Sequence, residues 1–222
     1  MLKTFCKLLY VPFLAITLAG CGEETVSIEN KNQPQYAGTI LAIGDSLTEG
    51  LGVEEEFAYP AQLQQKLIDS GHDYRVINAG VSGETSSGAL SRIKWALNLK
   101  PDIVILVTGA NDGLRGIEPA LIDANITEIV QLLKERNIVV VLGGMQMVQN
   151  LGQTYTLAFS KLYEDIAKEQ DIIFIPAFLA GVGANSALNQ SDGIHPTADG
   201  YRIIVDNIYP YVVEAIQRHQ NK

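Results

Sequence analysis

Five short runs rich in β-branched residues, Thr39–Ile43, Tyr74–Asn78, Asp102–Val107, Ile138–Leu142 and Ile172–Ile175, alternate along the chain with five longer segments of helical character, Ala58–Ser70, Ser86–Leu99, Pro119–Arg136, Thr156–Glu169 and Ala198–Arg218. Short apolar strands separated by helices predict a parallel sheet buried on both faces, because each return to a parallel strand needs a crossover and the crossovers are the covering helices. Right-handed crossovers favour the strand order 2-1-3-4-5 in a three-layer α/β/α domain. The 222 residues suffice for one such domain and are too few for two.

The N-terminal segment reads differently. Met1 to Lys7 carries Lys3 and Lys7 and no acid, and Leu8 to Ala19 is apolar or small apart from Thr17. Leu18-Ala19-Gly20-Cys21 closes the run. A basic start, an apolar stretch of about twelve residues and a small-residue boundary predict an export signal over residues 1–20, the stretch being short of the roughly twenty that span a bilayer. The closing tetrapeptide resembles the lipobox of bacterial lipoproteins, which implies that Cys21 becomes the acylated first residue and that several acyl chains hold the protein to a membrane on the exported side. Residues 21–37, with Glu, Asn, Gln, Lys, Ser and Pro34, are expected to form the tether, and residues 38–222 the domain.

Sixteen basic residues against twenty-five acidic ones give a net charge of −9, so no chain-wide basic field draws in nucleic acid. The only two cysteines, Cys6 and Cys21, precede the domain, which therefore carries no disulfide framework. A monomer is expected.

Ligands of parallel sheets bind outside the carboxyl ends of the strands where the strand order reverses. The loops there read Gly44-Asp45-Ser46-Leu47-Thr48-Glu49-Gly50, Asn78-Ala79-Gly80-Val81-Ser82-Gly83-Glu84-Thr85 and Gly109-Ala110-Asn111-Asp112-Gly113, and Ser191-Asp192-Gly193-Ile194-His195-Pro196 leads into the last helix. A serine nucleophile at neutral pH needs a base, and His is the usual one. Of three histidines, His72 belongs to the turn before the second strand, at the amino end of the sheet, and His219 to a polar C-terminal tail. His195 remains. Asp192, three residues earlier, is placed to accept from the ring Nδ1 and leave Nε2 free for Ser46.

Gly-Asp-Ser-Leu at Gly44–Leu47, the Gly83 block, Gly-x-Asn-Asp at Gly109–Asp112 and Asp-Gly-Ile-His-Pro at Asp192–Pro196 stand in the order found in the SGNH hydrolases, or GDSL esterases and lipases. The chain resembles that family from about Thr39 to Pro210, and within it the bacterial thioesterase I, lysophospholipase L1 and arylesterase group. The resemblance implies a flavodoxin-like five-stranded fold and a serine esterase for short- to medium-chain acyl esters, thioesters or lysophospholipids, with neither metal nor cofactor. It implies Ser46 as nucleophile, His195 as general base and acid, and Asp192 as its partner. The oxyanion hole would be formed by the N–H groups of Ser46 and Gly83 and the side-chain amide of Asn111. Asp45 and Asp112 are expected to bond loop groups around the site.

Gly144 to Tyr155 occupies the place of a substrate loop in that family. Relatives carry prolines ahead of an Asn-Tyr-Gly element where this chain has Met145, Met147 and Asn150-Leu151-Gly152. Met145, Met147, Leu151, Phe178, Leu179 and Val182 are candidates for an apolar groove. Two other readings stand beside the acyl esterase: an acetylesterase on polysaccharide, and a catalytically silent lipoprotein that binds lipid or a flavin phosphate. Metal-dependent phosphoesterase chemistry fits poorly with one histidine at the relevant face, and no Gly-Lys-Ser/Thr follows the first strand to make a P-loop.

Overall fold

A computed structural model of the chain describes residues 36–147 and 151–222. The expected export signal, Cys21, the tether up to residue 35, and residues 148–150 of the expected substrate loop lie outside the described residues. Five strands, β1 (Gly38–Gly44), β2 (Tyr74–Gly80), β3 (Ile103–Val107), β4 (Val139–Gly143) and β5 (Ile173–Ile175), form one parallel sheet in the order β2-β1-β3-β4-β5. The central strands β3 and β4 bury every residue, as both covered faces demand. The edge strand β2 tolerates Arg75 and Asn78. Ala37 donates to the carbonyl of Asp73, so the end of the expected tether already joins the sheet edge.

Helices α2 (Tyr59–Asp69) and α7 (Ala198–Gln220) pack on each other and on one face of the sheet. On the other face, α5 (Pro119–Lys134) packs against both α3 (Ser86–Ala96) and α6 (Gln153–Gln170). Helix α5 shows why: Ile122, Ile126, Ile129, Val130 and Leu133 fall on one stripe at spacings of three, four and seven, and all are buried. Its Pro119 sits in the first turn, where a missing N–H costs no helical bond. Pro210 lies inside α7, yet the helix continues because Ile208 and Val212 on either side are fully buried. Their burial, about 1.5–3 kcal/mol each, outweighs a proline penalty of about 3 kcal/mol.

Two short helices interrupt loops that the sequence reading leaves irregular, α1 (Ser46–Glu49) and α4 (Ala110–Leu114). Four and five residues are too few to display a helical period. They follow β1 and β3, the neighbouring strands at which the sheet order reverses. The expected polar tail is also helical. His219 lies in the last turn of α7, where its Nδ1 is 2.9 Å from Tyr74 Oη and its Nε2 is 3.4 Å from Asp102, pinning the helix to the amino end of the sheet.

Candidate active site

Helix α1 begins immediately outside β1 because Gly44 and Gly80 let three backbones meet there. A side chain at Gly44 would strike Thr48 and the Val107 carbonyl, and one at Gly80 would strike the backbone of Glu49. Asp45 caps the helix, its Oδ1 accepting from Leu47 N–H at 3.0 Å. This sets Ser46 at the first helical position, 9% exposed.

The other side of the site is built by a short turn. Asp192 Oδ1 accepts from the backbone N–H groups of Ile194 (2.8 Å) and His195 (3.0 Å), with Gly193 at φ +72° between them. The same fold of the chain brings Asp192 Oδ2 to 2.7 Å from His195 Nδ1. His195 Nε2 then stands 2.9 Å from Ser46 Oγ, across 149 residues of sequence. The two backbone donors, followed by the ring, hold the Asp192 carboxyl down at about 2. It remains an ionised acceptor at any pH near neutrality.

A residue the sequence reading did not single out holds these two sides together. Gln190 Nε2 donates to the Leu51 carbonyl, just beyond α1, at 2.7 Å and to the Pro196 carbonyl at 3.0 Å. Its backbone N–H also bonds the His195 carbonyl at 2.7 Å. A glutamine fifteen residues beyond β5, in an irregular loop, leaves no motif by which to find it.

Asn111 reaches the Ser46 turn from the start of α4, after β3, and the loop after β2 that carries Gly83 is held to the same side by Val81 N–H on the Gly44 carbonyl (2.9 Å) and Ser82 N–H on Glu49 (3.0 Å). Gly83 adopts φ +77°, a conformation that a side chain would strain, and its carbonyl accepts from Arg115 Nη2 at 2.9 Å. Asn111 Nδ2 donates to the Glu84 carbonyl at 3.0 Å and to Asp45 Oδ2 at 3.3 Å. Asp45 is 1% exposed, and burial pushes its carboxyl up to about 6 against the pull of the Leu47 N–H. Asp112 is fully buried and accepts from both the backbone N–H (2.8 Å) and the hydroxyl (2.6 Å) of Ser86, locking the start of α3 to α4. Glu84 and Arg92 form a half-buried pair, and Arg92 Nη2 also bonds the Ala79 carbonyl at 2.7 Å.

Beside Ser46 opens a cavity of about 410 Å³ lined largely by apolar residues, among them Leu47, Leu114, Met145, Met147, Phe178 and Ile194. Four of the six expected groove residues, Met145, Met147, Phe178 and Leu179, line it. Val182 does not: it is fully buried in the core. Leu151 is half-buried and also lies off the lining. Leu114, at the end of the five-residue α4, and Ile194, in a loop, were hidden from a sequence reading because an isolated apolar residue in so short a helix or in a loop carries no period.

The pattern of the GDSL-like Lipase/Acylhydrolase family matches residues 42–203. Esterase TesA of Pseudomonas aeruginosa is 37% identical over 197 residues, covering 88% of this chain and 96% of its own. Thioesterase 1/protease 1/lysophospholipase L1 of Escherichia coli K12 is 36% identical over 171 residues, 77% of this chain and 81% of that one. The crystal structure of the psychrotrophic esterase EstA from Pseudoalteromonas sp., inhibited by monoethylphosphonate, superposes with a TM-score of 0.77 at 30% identity, over 81% of this chain and 99% of its own. The chain belongs to the GDSL-like lipase and acylhydrolase family and is a serine hydrolase of the carboxylic-ester kind.

Proposed function

We propose that the protein hydrolyses short- to medium-chain acyl esters, with thioesters and lysophospholipids in the same substrate class, using Ser46, His195 and Asp192 as its catalytic triad. The observation that carries this reading is the unbroken line from Asp192 Oδ2 through His195 to Ser46 Oγ, at 2.7 and 2.9 Å, beside an apolar cavity. Ser46 Oγ attacks the acyl carbonyl carbon while its proton passes to His195 Nε2. His195 returns that proton to the departing alcohol or thiol as the tetrahedral intermediate collapses to the acyl-enzyme. Water then attacks the acyl carbonyl, giving a proton to His195, and as this second tetrahedral intermediate collapses to release the carboxylic acid, His195 returns that proton to Ser46 Oγ. Asp192 holds the ring with Nδ1 protonated and stabilises the imidazolium. The N–H groups of Ser46 and Gly83 and the Asn111 amide are the donors for the developing oxyanion. The family and its named esterases support ester hydrolysis, and the apolar lining favours an acyl chain over an acetyl group alone.

Labelling with a fluorophosphonate and mapping the adduct tests the assignment. The expected adduct is on Ser46, and Ser46→Ala is expected to keep the fold and lose at least about 10⁴ in kcat. An adduct elsewhere, or near-wild-type turnover by Ser46→Ala, rejects it. From Leu18-Ala19-Gly20-Cys21 we also infer export and lipid anchoring at Cys21. Labelled palmitate is expected to enter the wild type and not Cys21→Ala, and equal incorporation overturns the anchor.

A further inference from the structure

Asp45 touches two walls of the site at once. One carboxylate oxygen accepts from Leu47 N–H in the nucleophile turn, and the other from Asn111 Nδ2 at the start of α4. The turn follows β1 and α4 follows β3, and the side chain between them is almost wholly removed from solvent. The Asn111 amide has two hydrogens. The Glu84 carbonyl accepts at the shorter distance, 3.0 Å, and Asp45 at 3.3 Å, so the amide plane is set by acceptors from two separate loops. An oxyanion donor must be aimed before charge develops, because reorienting it during the reaction would consume the stabilisation it gives. An amide held only at Glu84 could pivot about that single bond; the second acceptor removes this freedom.

We propose that Asp45 is a positioning residue of the oxyanion hole, its carboxylate fixing the Asn111 amide relative to the Ser46 turn by bonding both. The inference rests on the reading of Asn111 as an oxyanion donor. Asp45 acts through Asn111 and does not touch substrate. The N–H that rests on Asp45 is the one shared with the developing oxyanion, since the bond to Asp45 is the longer of the two. No other common side chain fits both tasks. Asparagine has one acceptor oxygen for two N–H donors, and serine can cap α1 but is too short to bridge.

The test is a double-mutant cycle on p-nitrophenyl butyrate with Asp45→Ser, Asn111→Ala and the pair, reading kcat and KM separately. Asn111→Ala alone is expected to lose about 10²–10³ in kcat. Asp45→Ser is expected to lower kcat at least about tenfold in the otherwise wild-type enzyme with KM within about threefold, and less than about threefold when Asn111 is already Ala. An equal loss in both backgrounds, or a wild-type kcat for Asp45→Ser, overturns the inference: Asp45 is then a helix cap only. Should Asp45→Ser fail to fold, Asp45→Asn, which keeps the volume, enters the same cycle with the same expectation and the same overturning results. Asn111→Ala at near-wild-type rate removes the oxyanion reading itself, a result distinct from a crippled Asn111→Ala with additive Asp45 effects.

Discussion

The carboxylate of Asp192 accepts three N–H groups from two neighbouring residues, the backbones of Ile194 and His195 with one oxygen and the His195 ring with the other. A single Asx turn therefore both builds the loop and orients the imidazole. This economy explains how a side chain that is nearly half exposed can still hold a ring in place: the backbone bonds fix the carboxylate first.

Asp192→Asn is expected to lower kcat by about 10²–10⁴ while leaving KM and the melting temperature little changed. The amide keeps an acceptor for the turn but presents N–H to Nδ1, favouring the tautomer that leaves Nε2 protonated and useless as a base. The wild-type carboxyl titrates at about 2. With its folded value below the ordinary 3.8, its stabilising contribution is present above about pH 4 and fades as pH falls through 2. Kinetics of the variant beside a pH–rate profile of the wild type check both points; a variant within about fivefold of wild type is incompatible with the triad.

Gln190→Ala is expected to lower kcat about tenfold and stability by about 1–3 kcal/mol, from two lost hydrogen bonds. The loss arises because the bonds to Leu51 and Pro196 are what couple the Ser46 side of the site to the His195 loop. Fluorophosphonate labelling rate, read against a thermal melt, separates the two effects. A slower melt-independent reaction with Ser46 is the expected sign, and an unchanged labelling rate would confine Gln190 to loop stability.

Much of this was legible beforehand because strong periodicity and motif spacing coincide with burial. The strands lie within one or two residues of their expected bounds, since β-branched runs such as Ile103–Val107 are buried on both faces and have no other low-energy placement. Ser46, Asp192 and His195 could be singled out because the chemistry needs a base and the chain offers few histidines, and the structure brings the three side chains within hydrogen-bond distance of one another. What stayed hidden lacked period or motif: the short helices α1 and α4, the bridging Gln190, and the lining residues Leu114 and Ile194. Val182 was misplaced for the converse reason, since an apolar residue in a loop reads alike whether it faces a groove or the core.

Asp45 is retained at a cost in stability, and the cost depends on pH. Burial raises its folded pKa to about 6 from an ordinary 3.8, so the fold binds this proton more tightly than the unfolded chain does. Its favourable contribution is full below about pH 4 and declines as pH rises to 6, amounting to about 3 kcal/mol between the two limits. Asparagine does not titrate. The melting temperature of Asp45→Asn minus that of the wild type is therefore expected to grow more positive by several degrees from pH 4 to pH 7. A difference that stays flat over this range would mean that Asp45 does not titrate where its burial places it.

Under the proposed function the cavity beside Ser46 takes the acyl chain, and Gly183 offers a way to shorten it. Gly183 lines the cavity, and a Cβ there would meet only Leu179 at 3.5 Å, an ordinary contact, so a larger side chain can enter without straining the backbone. For the wild type, each methylene that the apolar lining buries contributes up to about 0.8 kcal/mol, so kcat/KM on p-nitrophenyl esters is expected to rise by up to about fourfold per carbon until the cavity is filled. Gly183→Leu is expected to leave acetyl and butyryl ester turnover within about twofold and to reduce kcat/KM on octanoyl and longer esters at least about tenfold. The comparison is internal, since a general loss of folded enzyme lowers all chain lengths alike. A profile in Gly183→Leu parallel to that of the wild type would move the acyl chain out of this cavity and onto the open surface around Ser46.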